Sequence, residues 1–230
     1  MAKVFLSAGH GGNDPGAVGY GLKEKDINLN ILLSCKTELE RHGVTVIASR
    51  LKDENDGVRD EVKEANASGA DLAVSIHTNA GGGDGFEAFY WSLNKEDKNL
   101  AGLCEKHVKA LGQNSRGLKP GDHLYWCRNT EMTSCLVEVF FIDNDKDNDI
   151  GDTVSEQSAF GVAFAKAILE YLGITYVKDG EITLDSACKL LADAGIINSP
   201  DYWAKGKGYS DSNTVLLIKK FAEYVRRKGK

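Results

Sequence analysis

The chain has 230 residues, 42% hydrophobic and 27% charged, which suits one sizeable globular domain with room for a small second unit. A net charge of −6 argues against a nucleic-acid partner, and no apolar run reaches the 18 residues that a membrane-spanning helix needs. Five cysteines without a CxxC pair fit a reducing compartment better than a disulfide framework.

Val4 to Ala8 reads as a buried strand. The opening Met1-Ala2-Lys3 enters it directly, without the apolar stretch and small-residue cleavage site of a signal peptide. Synthesis in the cytoplasm is therefore expected, with action elsewhere requiring release or another export route. Gly9 to Gly21 reads as a glycine-rich loop. The spacing of Ile27, Ile31, Leu32 and Leu39 predicts an amphipathic helix with Asp26 as N-cap and Gly43 as its stop. Val44 to Ala48 is a second strand, Asp56 to Ser68 a charged helix closed by Gly69, and Leu72 to Ile76 a third, central strand.

After the loop Gly81 to Gly85 come a strand from Phe86 to Trp91 and a helix from Lys95 to Leu111. Leu124 to Cys127 and Cys135 to Phe141 read as two more strands. A helix opening at Ser155, in a capping box completed by Ser158, runs to Leu172 and stops at Gly173. The alternation predicts an α/β fold, a twisted, mostly parallel sheet flanked by helices. The expected domains are residues 1–175, a linker at 176–181, and a small C-terminal helical domain at 182–230. In the last, Leu184 to Ala194 and Thr214 to Arg227 read as helices. Residues 178–230 hold 10 Lys+Arg and 7 Asp+Glu, a balance of +3, against −9 for the remainder.

Four residues carry the chemistry. His10 follows the first strand within Gly9-His10-Gly11-Gly12, and His77 ends the third strand within Ser75-Ile76-His77-Thr78-Asn79. Glu24 precedes the first helix, and Glu138 sits within the apolar strand Leu136 to Phe141. In a parallel sheet such groups converge at the carboxyl ends of the strands. Two imidazoles and a carboxylate form a ligand set that leaves zinc an open position for water, so His10, Glu24 and His77 are candidate ligands of one zinc ion. A carboxylate among Val137, Val139 and Phe140 is costly unless it is paired or has a task, which makes Glu138 the candidate proton carrier. Each residue alone has an ordinary explanation: a loop histidine, a satisfied core histidine, a solvated charge. Together, in this order, they point to metal-assisted hydrolysis. Asn79, two residues after His77, shares its side of the strand and is a candidate substrate or ligand-orienting contact, with a plain turn contact as the equal alternative. Arg116 and His123 are candidates for the cleft, although loop positions suit them better. Cys135 reads as a small buried residue rather than a nucleophile.

These motifs resemble the zinc-dependent N-acetylmuramoyl-L-alanine amidases of the amidase type 3 family, from about Lys3 to Gly173. The resemblance includes Asp14-Pro15-Gly16-Ala17, Gly21 to Asp26, Arg59, Ala65-Asn66, Ala70-Asp71-Leu72, Arg116 to Lys119, Leu136-Val137-Glu138 and Phe141 to Asn144. It implies His10, Glu24 and His77 as zinc ligands, Glu138 as catalytic glutamate, and peptidoglycan as substrate. The bond implied is the amide between muramic acid and L-alanine. The family's usual Asp-Pro before Gly-His is Ser7-Ala8 here, and the proline before Leu-Val-Glu is replaced by Ser134-Cys135. A zinc peptidase cutting within the stem and a non-catalytic wall-binding protein are the alternatives.

The C-terminal segment offers Tyr202, Trp203 and Tyr209 for sugar stacking and a positive balance for anionic wall polymers. The same aromatics suit a small helical core, and self-association into a homodimer through the helix pair is the rival role. A wall-cleaving domain without a leader resembles a phage or prophage endolysin, with a bacterial autolysin as the other source.

Overall fold

The computed structural model describes residues 2–178, 184–193, 197, 204 and 212–228. Its strands are β1 (Lys3–Ala8), β2 (Val18–Gly19), β3 (Leu22–Lys23), β4 (Thr45–Ala48), β5 (Leu72–Asn79), β6 (Phe86–Tyr90), β7 (Ser115–Pro120) and β8 (Thr133–Phe141). The helices are α1 (Glu24–Arg41), α2 (Val58–Ser68), α3 (Lys95–Lys109), α4 (Tyr125–Asn129), α5 (Asp145–Asn148) and α6 (Val154–Tyr171), with α7 (Leu184–Asp193) and α8 (Ser212–Lys228) beyond them. Six strands form one sheet in the order β4-β1-β5-β8-β6-β7, and β2 pairs with β3 alone. The sheet is parallel except at β8–β6, so the mostly parallel α/β architecture expected from the alternation of elements is present.

Period-two alternation gives the sheet two different faces. Val4, Leu6, Val74, Ile76, Val137 and Val139 point into a large core with Ile31 and Leu32 of α1, Cys104 of α3 and Phe164 of α6. Phe5, Ala73 and Leu136 point the other way, into a smaller core with Val62 of α2 and Trp126 of α4. Along those same rows, toward the carboxyl ends of the strands, come polar positions that are only partly covered: His77 on β5, past buried Ser75, and Glu138 on β8. The site is thus the open end of the smaller core.

The structure corrects several local expectations. Leu124 to Cys127 is not a strand; Tyr125 to Asn129 is helical, with Arg128 N donating to Leu124 O and Thr130 N to Trp126 O. A short apolar run does not distinguish a strand from a buried helical turn. Helix α1 begins at Glu24 without a side-chain cap, not behind a cap at Asp26. Loop carbonyls replace the cap: Glu24 N donates to Ala17 O and Lys25 N to Pro15 O. Helix α6 is capped by Thr153, not Ser155, because only Thr153 has a glutamate three residues on to complete the box. Arg116 lies on an edge strand, not in a loop, together with Lys119, and the loop from Gly9 to Gly21 contains β2.

Residues 1–176 and 177–230 form two compact units. In the second, Ala187 and Leu191 of α7 pack with Ala222 of α8. Tyr202, Trp203 and Tyr209 lie outside the described residues. All five cysteines are buried and none forms a disulfide, and no helix among the described residues is long and apolar enough to cross a membrane.

Candidate metal centre

The chain leaves β1 through Gly9, whose N–H donates to Ile76 O of the neighbouring strand, 3.0 Å. His10 then adopts φ +65°, a left-handed conformation rare outside glycine, and is held there by the paired backbone hydrogen bonds between Gly11 and Asp14. This turn aims the His10 ring back toward the sheet. Its Nδ1 lies 2.8 Å from Asp14 Oδ2 and its Nε2 3.2 Å from Glu24 Oε2. Arg50, 2% exposed, fixes the same loop from beneath by donating to the carbonyls of Ala8 and Lys25, 2.9 and 2.7 Å.

Glu24 is the hub. Its Oε2 also accepts from Ala17 N–H at 2.8 Å; its Oε1 accepts from Thr78 N–H at 3.0 Å and faces His77 Nδ1 at 3.0 Å. Asn28, one helical turn on, donates toward Oε1 at 3.3 Å and to Gly9 O at 3.1 Å, while Thr78 Oγ1 donates to Asn28 Oδ1 at 2.8 Å. The two histidines are therefore set at one carboxylate whose own position is fixed by backbone donors. One ligand atom from each of His10, Glu24 and His77 lies within 4.8 Å of the others. Two nitrogens and a carboxylate oxygen at this spacing fit a zinc-type ion. Close approach is built in: a Cβ on Gly16 would lie 2.5 Å from Glu24 Oε2 and 2.8 Å from the His10 ring.

Charges follow from this arrangement. Burial would raise the Glu24 pKa, but hydrogen bonds from His10 and His77 outweigh it and hold the carboxyl well below its usual range. The His10 pKa is pushed up to about 9, first by its hydrogen bond to Glu24, against its own desolvation. For His77 burial acts downward, yet the Glu24 hydrogen bond and the Glu138 and Glu24 charges raise it overall.

Glu138 stands in register with His77 across the parallel β5–β8 pair, so both side chains leave the same face. Its Oε2 is buried with no hydrogen-bond partner. Burial, partly offset by His77, pushes its pKa up to about 7, with Glu24 and Glu87 adding to the rise. A carboxyl group that titrates near neutrality beside a metal-type ligand cluster is equipped to carry a proton.

The structure thus brings together all four principal sequence candidates. Asn79 and Arg116 reach the same edge but bond to Glu87 rather than to the three-residue cluster. His123 packs edge-on against Phe89, and Cys135 lies in the large core on the opposite face. Asp14, Asn28, Arg50, Thr78 and Glu87 carry no role assigned from the sequence, although Asp14 and Thr78 stand in its motifs. For Asn28 and Asp14 a signal exists, since each lies four residues from a candidate ligand; for Arg50 and Glu87 none does.

The family model for N-acetylmuramoyl-L-alanine amidase matches residues 4–170. An endolysin of Bacillus phage SPP1 is 40% identical over 176 residues, covering 70% of this chain and 64% of the phage protein. A sporulation-specific N-acetylmuramoyl-L-alanine amidase of Bacillus subtilis is 38% identical over 151 residues, covering 64% of this chain and 59% of its own length. The chain therefore spans less than two thirds of either relative. The catalytic domain of CwlV, an N-acetylmuramoyl-L-alanine amidase from Bacillus (Paenibacillus) polymyxa var. colistinus, superposes with a TM-score of 0.71 at 30% identity, over 76% of this chain and 100% of that domain. With a match across most of the chain and a shared fold, the protein belongs to the N-acetylmuramoyl-L-alanine amidase family.

Proposed function

We propose that this chain hydrolyses the amide between N-acetylmuramic acid and L-alanine in peptidoglycan, with one zinc ion held by His10, Glu24 and His77 and with Glu138 as proton carrier. The observation that carries this is the register of β5 and β8, which sets Glu138, one oxygen unpartnered, beside the histidine–carboxylate cluster. Zinc, when bound, supplies a Lewis acid that eases ionisation of water at neutral pH and polarises a carbonyl.

The remaining work falls to the chain. Asp14 occupies His10 Nδ1 and leaves Nε2 for the metal, as a supporting carboxylate does for many ligating histidines. The N–H groups of Ala17 and Thr78 and the amide of Asn28 orient Glu24. Glu138 accepts the proton released by water and returns it to the departing amine, a transfer suited to a group titrating near 7. The named relatives include a phage endolysin and bacterial amidases, and both sources suit the reading.

The test is digestion of purified peptidoglycan with and without a chelator, with mass analysis of the products. Stem peptides beginning with L-alanine, lost on chelation and restored by zinc, are expected. A different new amino terminus would move the reaction to another bond, as in a peptidase. Persistence of cleavage after complete metal removal would overturn the zinc assignment.

A further inference from the structure

Beside Glu138 lies a second carboxylate that the hydrolytic reading leaves without a task. Glu87 on β6 pairs in antiparallel register with Glu138 on β8, so the two project from the same face of neighbouring strands. Glu87 is 4% exposed, and three side chains converge on it. Arg116 Nε and Lys119 Nζ both donate to Oε1, the latter at 2.5 Å, and Asn79 Nδ2 lies 3.4 Å from Oε2.

The stoichiometry is uneven. One carboxylate meets two cations, leaving an excess positive charge, whereas one cation would suffice to neutralise Glu87. Neither cation is enclosed: the side chains of Arg116 and Lys119 are 44% and 38% exposed. Arg116 is also fixed in plane, its guanidinium carbon 5.2 Å from the centre of the Phe141 ring. With Nε tethered to Glu87 and the ring beneath, its terminal nitrogens form a fork with no hydrogen-bond partner among the described residues. That geometry suits bidentate capture of a carboxylate, and the spare donors of Lys119 stand at the same point. The register shift of β8 between His77 and Asn79 contributes, because it brings Phe141 onto the face that carries Glu138.

We infer that Glu87 holds Arg116 and Lys119 as a carboxylate-binding subsite next to Glu138, which selects peptidoglycan stems bearing a free carboxylate close to the scissile amide over stems in which that carboxylate is a carboxamide. The inference rests on the proposed amidase reading for the identity of its ligand. Glu87 itself is a positioning residue: it touches no substrate and acts by setting the two cations. The purely structural alternative, in which the cations only neutralise Glu87, gives no discrimination between the two kinds of stem.

The experiment uses the full zinc-loaded chain and two matched muramyl peptides, one with the free α-carboxylate on the stem glutamate and one with the carboxamide. Binding of each is measured by calorimetry on the Glu138→Gln variant, and KM and kcat on the wild type. The carboxylate form is expected to bind about tenfold or more tightly, as for a charge-assisted hydrogen bond at a partly exposed site. The preference should appear mainly in KM, and Arg116→Ala and Lys119→Ala should each move the KM ratio toward one. Arg116→Lys, which keeps the charge and loses the fork, should retain only part of it. Equal binding of the two peptides to the Glu138→Gln variant overturns the subsite, as does a preference that survives both alanine substitutions. Selective binding without hydrolysis of either peptide by the wild type would support the subsite and overturn the amidase reading instead.

Discussion

Gly9→Ala isolates the demand the metal centre makes on the backbone. A Cβ built at Gly9 falls 2.1 Å from His77 Cε1, 2.4 Å from Nε2 and 2.6 Å from Nδ1. Ordinary contact begins near 3.4 Å, so the ring must retreat by about 1.3 Å. Gly9 is not among the residues with positive φ, so alanine meets no backbone strain, and its N–H can still donate to Ile76 O. The three nearest collisions are therefore all with the His77 ring. Overpacking of this kind costs about 1–3 kcal/mol. Losing a partner behind a ligand weakens metal binding about 10–100-fold, so displacing the ligand itself should cost at least about 100-fold. Zinc affinity, measured by competition with a chromophoric chelator, and urea unfolding of the metal-free protein are the assays. In a His77→Ala background the stability cost of Gly9→Ala should disappear, giving a coupling of about 1–3 kcal/mol. Wild-type zinc affinity in Gly9→Ala, or the same stability cost in both backgrounds, would refute the argument.

Glu138→Gln should retain zinc and fold while hydrolysis falls about 10²–10⁴-fold; activity within tenfold of the parent would remove it as proton carrier. Asp97, whose Oδ1 accepts from Ser134 N–H and Asn94 Nδ2, has its pKa raised by burial from 3.8 to about 6. The folded state thus holds this proton more tightly than the unfolded chain. Its contribution is full below about pH 4 and is lost as pH rises through about 6, at most about 3 kcal/mol for a shift of about 2 units. Asp97→Asn should flatten the slope of stability against pH between 4 and 7 in urea titrations, and superimposable slopes would contradict the assignment. Thr153→Ala removes the hydroxyl that accepts from Glu156 N–H and should cost about 1 kcal/mol; a change below about 0.3 kcal/mol would mean that the capping box is not stabilising α6.

His10, His77 and Glu138 were legible in the sequence because each occupies a place where its type is expensive or unusual. Glu138 interrupts a run of apolar residues, and His10 just past β1 and His77 near the end of β5 lie at strand ends rather than on charged helix faces. Glu24, by contrast, is chemically indistinguishable from the lysines and aspartate around it, and only the family motif marked it. The residues that position these groups left little trace. Arg50 acts through backbone carbonyls, which any sequence supplies. Glu87 sits in a strand of ordinary alternation, and its role depends on β6 pairing with β8, a non-local contact. The segment from Leu124 to Cys127 misled because four apolar residues satisfy either period, and packing of Trp126 beside Phe5 decided for helix. Arg116 to Lys119 contains glycine and two cations, a composition typical of loops, yet an exposed edge strand tolerates the same residues.

The packing of the large core also fixes the geometry of the site. Val137 and Val139 flank Glu138 and are fully buried on the opposite face, as Ile76 is beside His77. A slip of one residue between β5 and β8 would exchange the faces, placing the Glu138 carboxylate among Leu32, Val74 and Phe164 and turning two valines outward. Burying that carboxyl without a partner costs several kcal/mol even when it is protonated, and each exposed valine forfeits about 1.5 kcal/mol or more. The sum approaches the whole stability of an ordinary domain. The alignment of Glu138 with His77 is thus enforced by apolar residues on the opposite face of the sheet, and the register shift that brings Phe141 to Arg116 occurs only beyond this locked pair. Hydrophobic packing specifies the distance between Glu138 and the His10–Glu24–His77 cluster, while the polar groups at the sheet's end set their orientation.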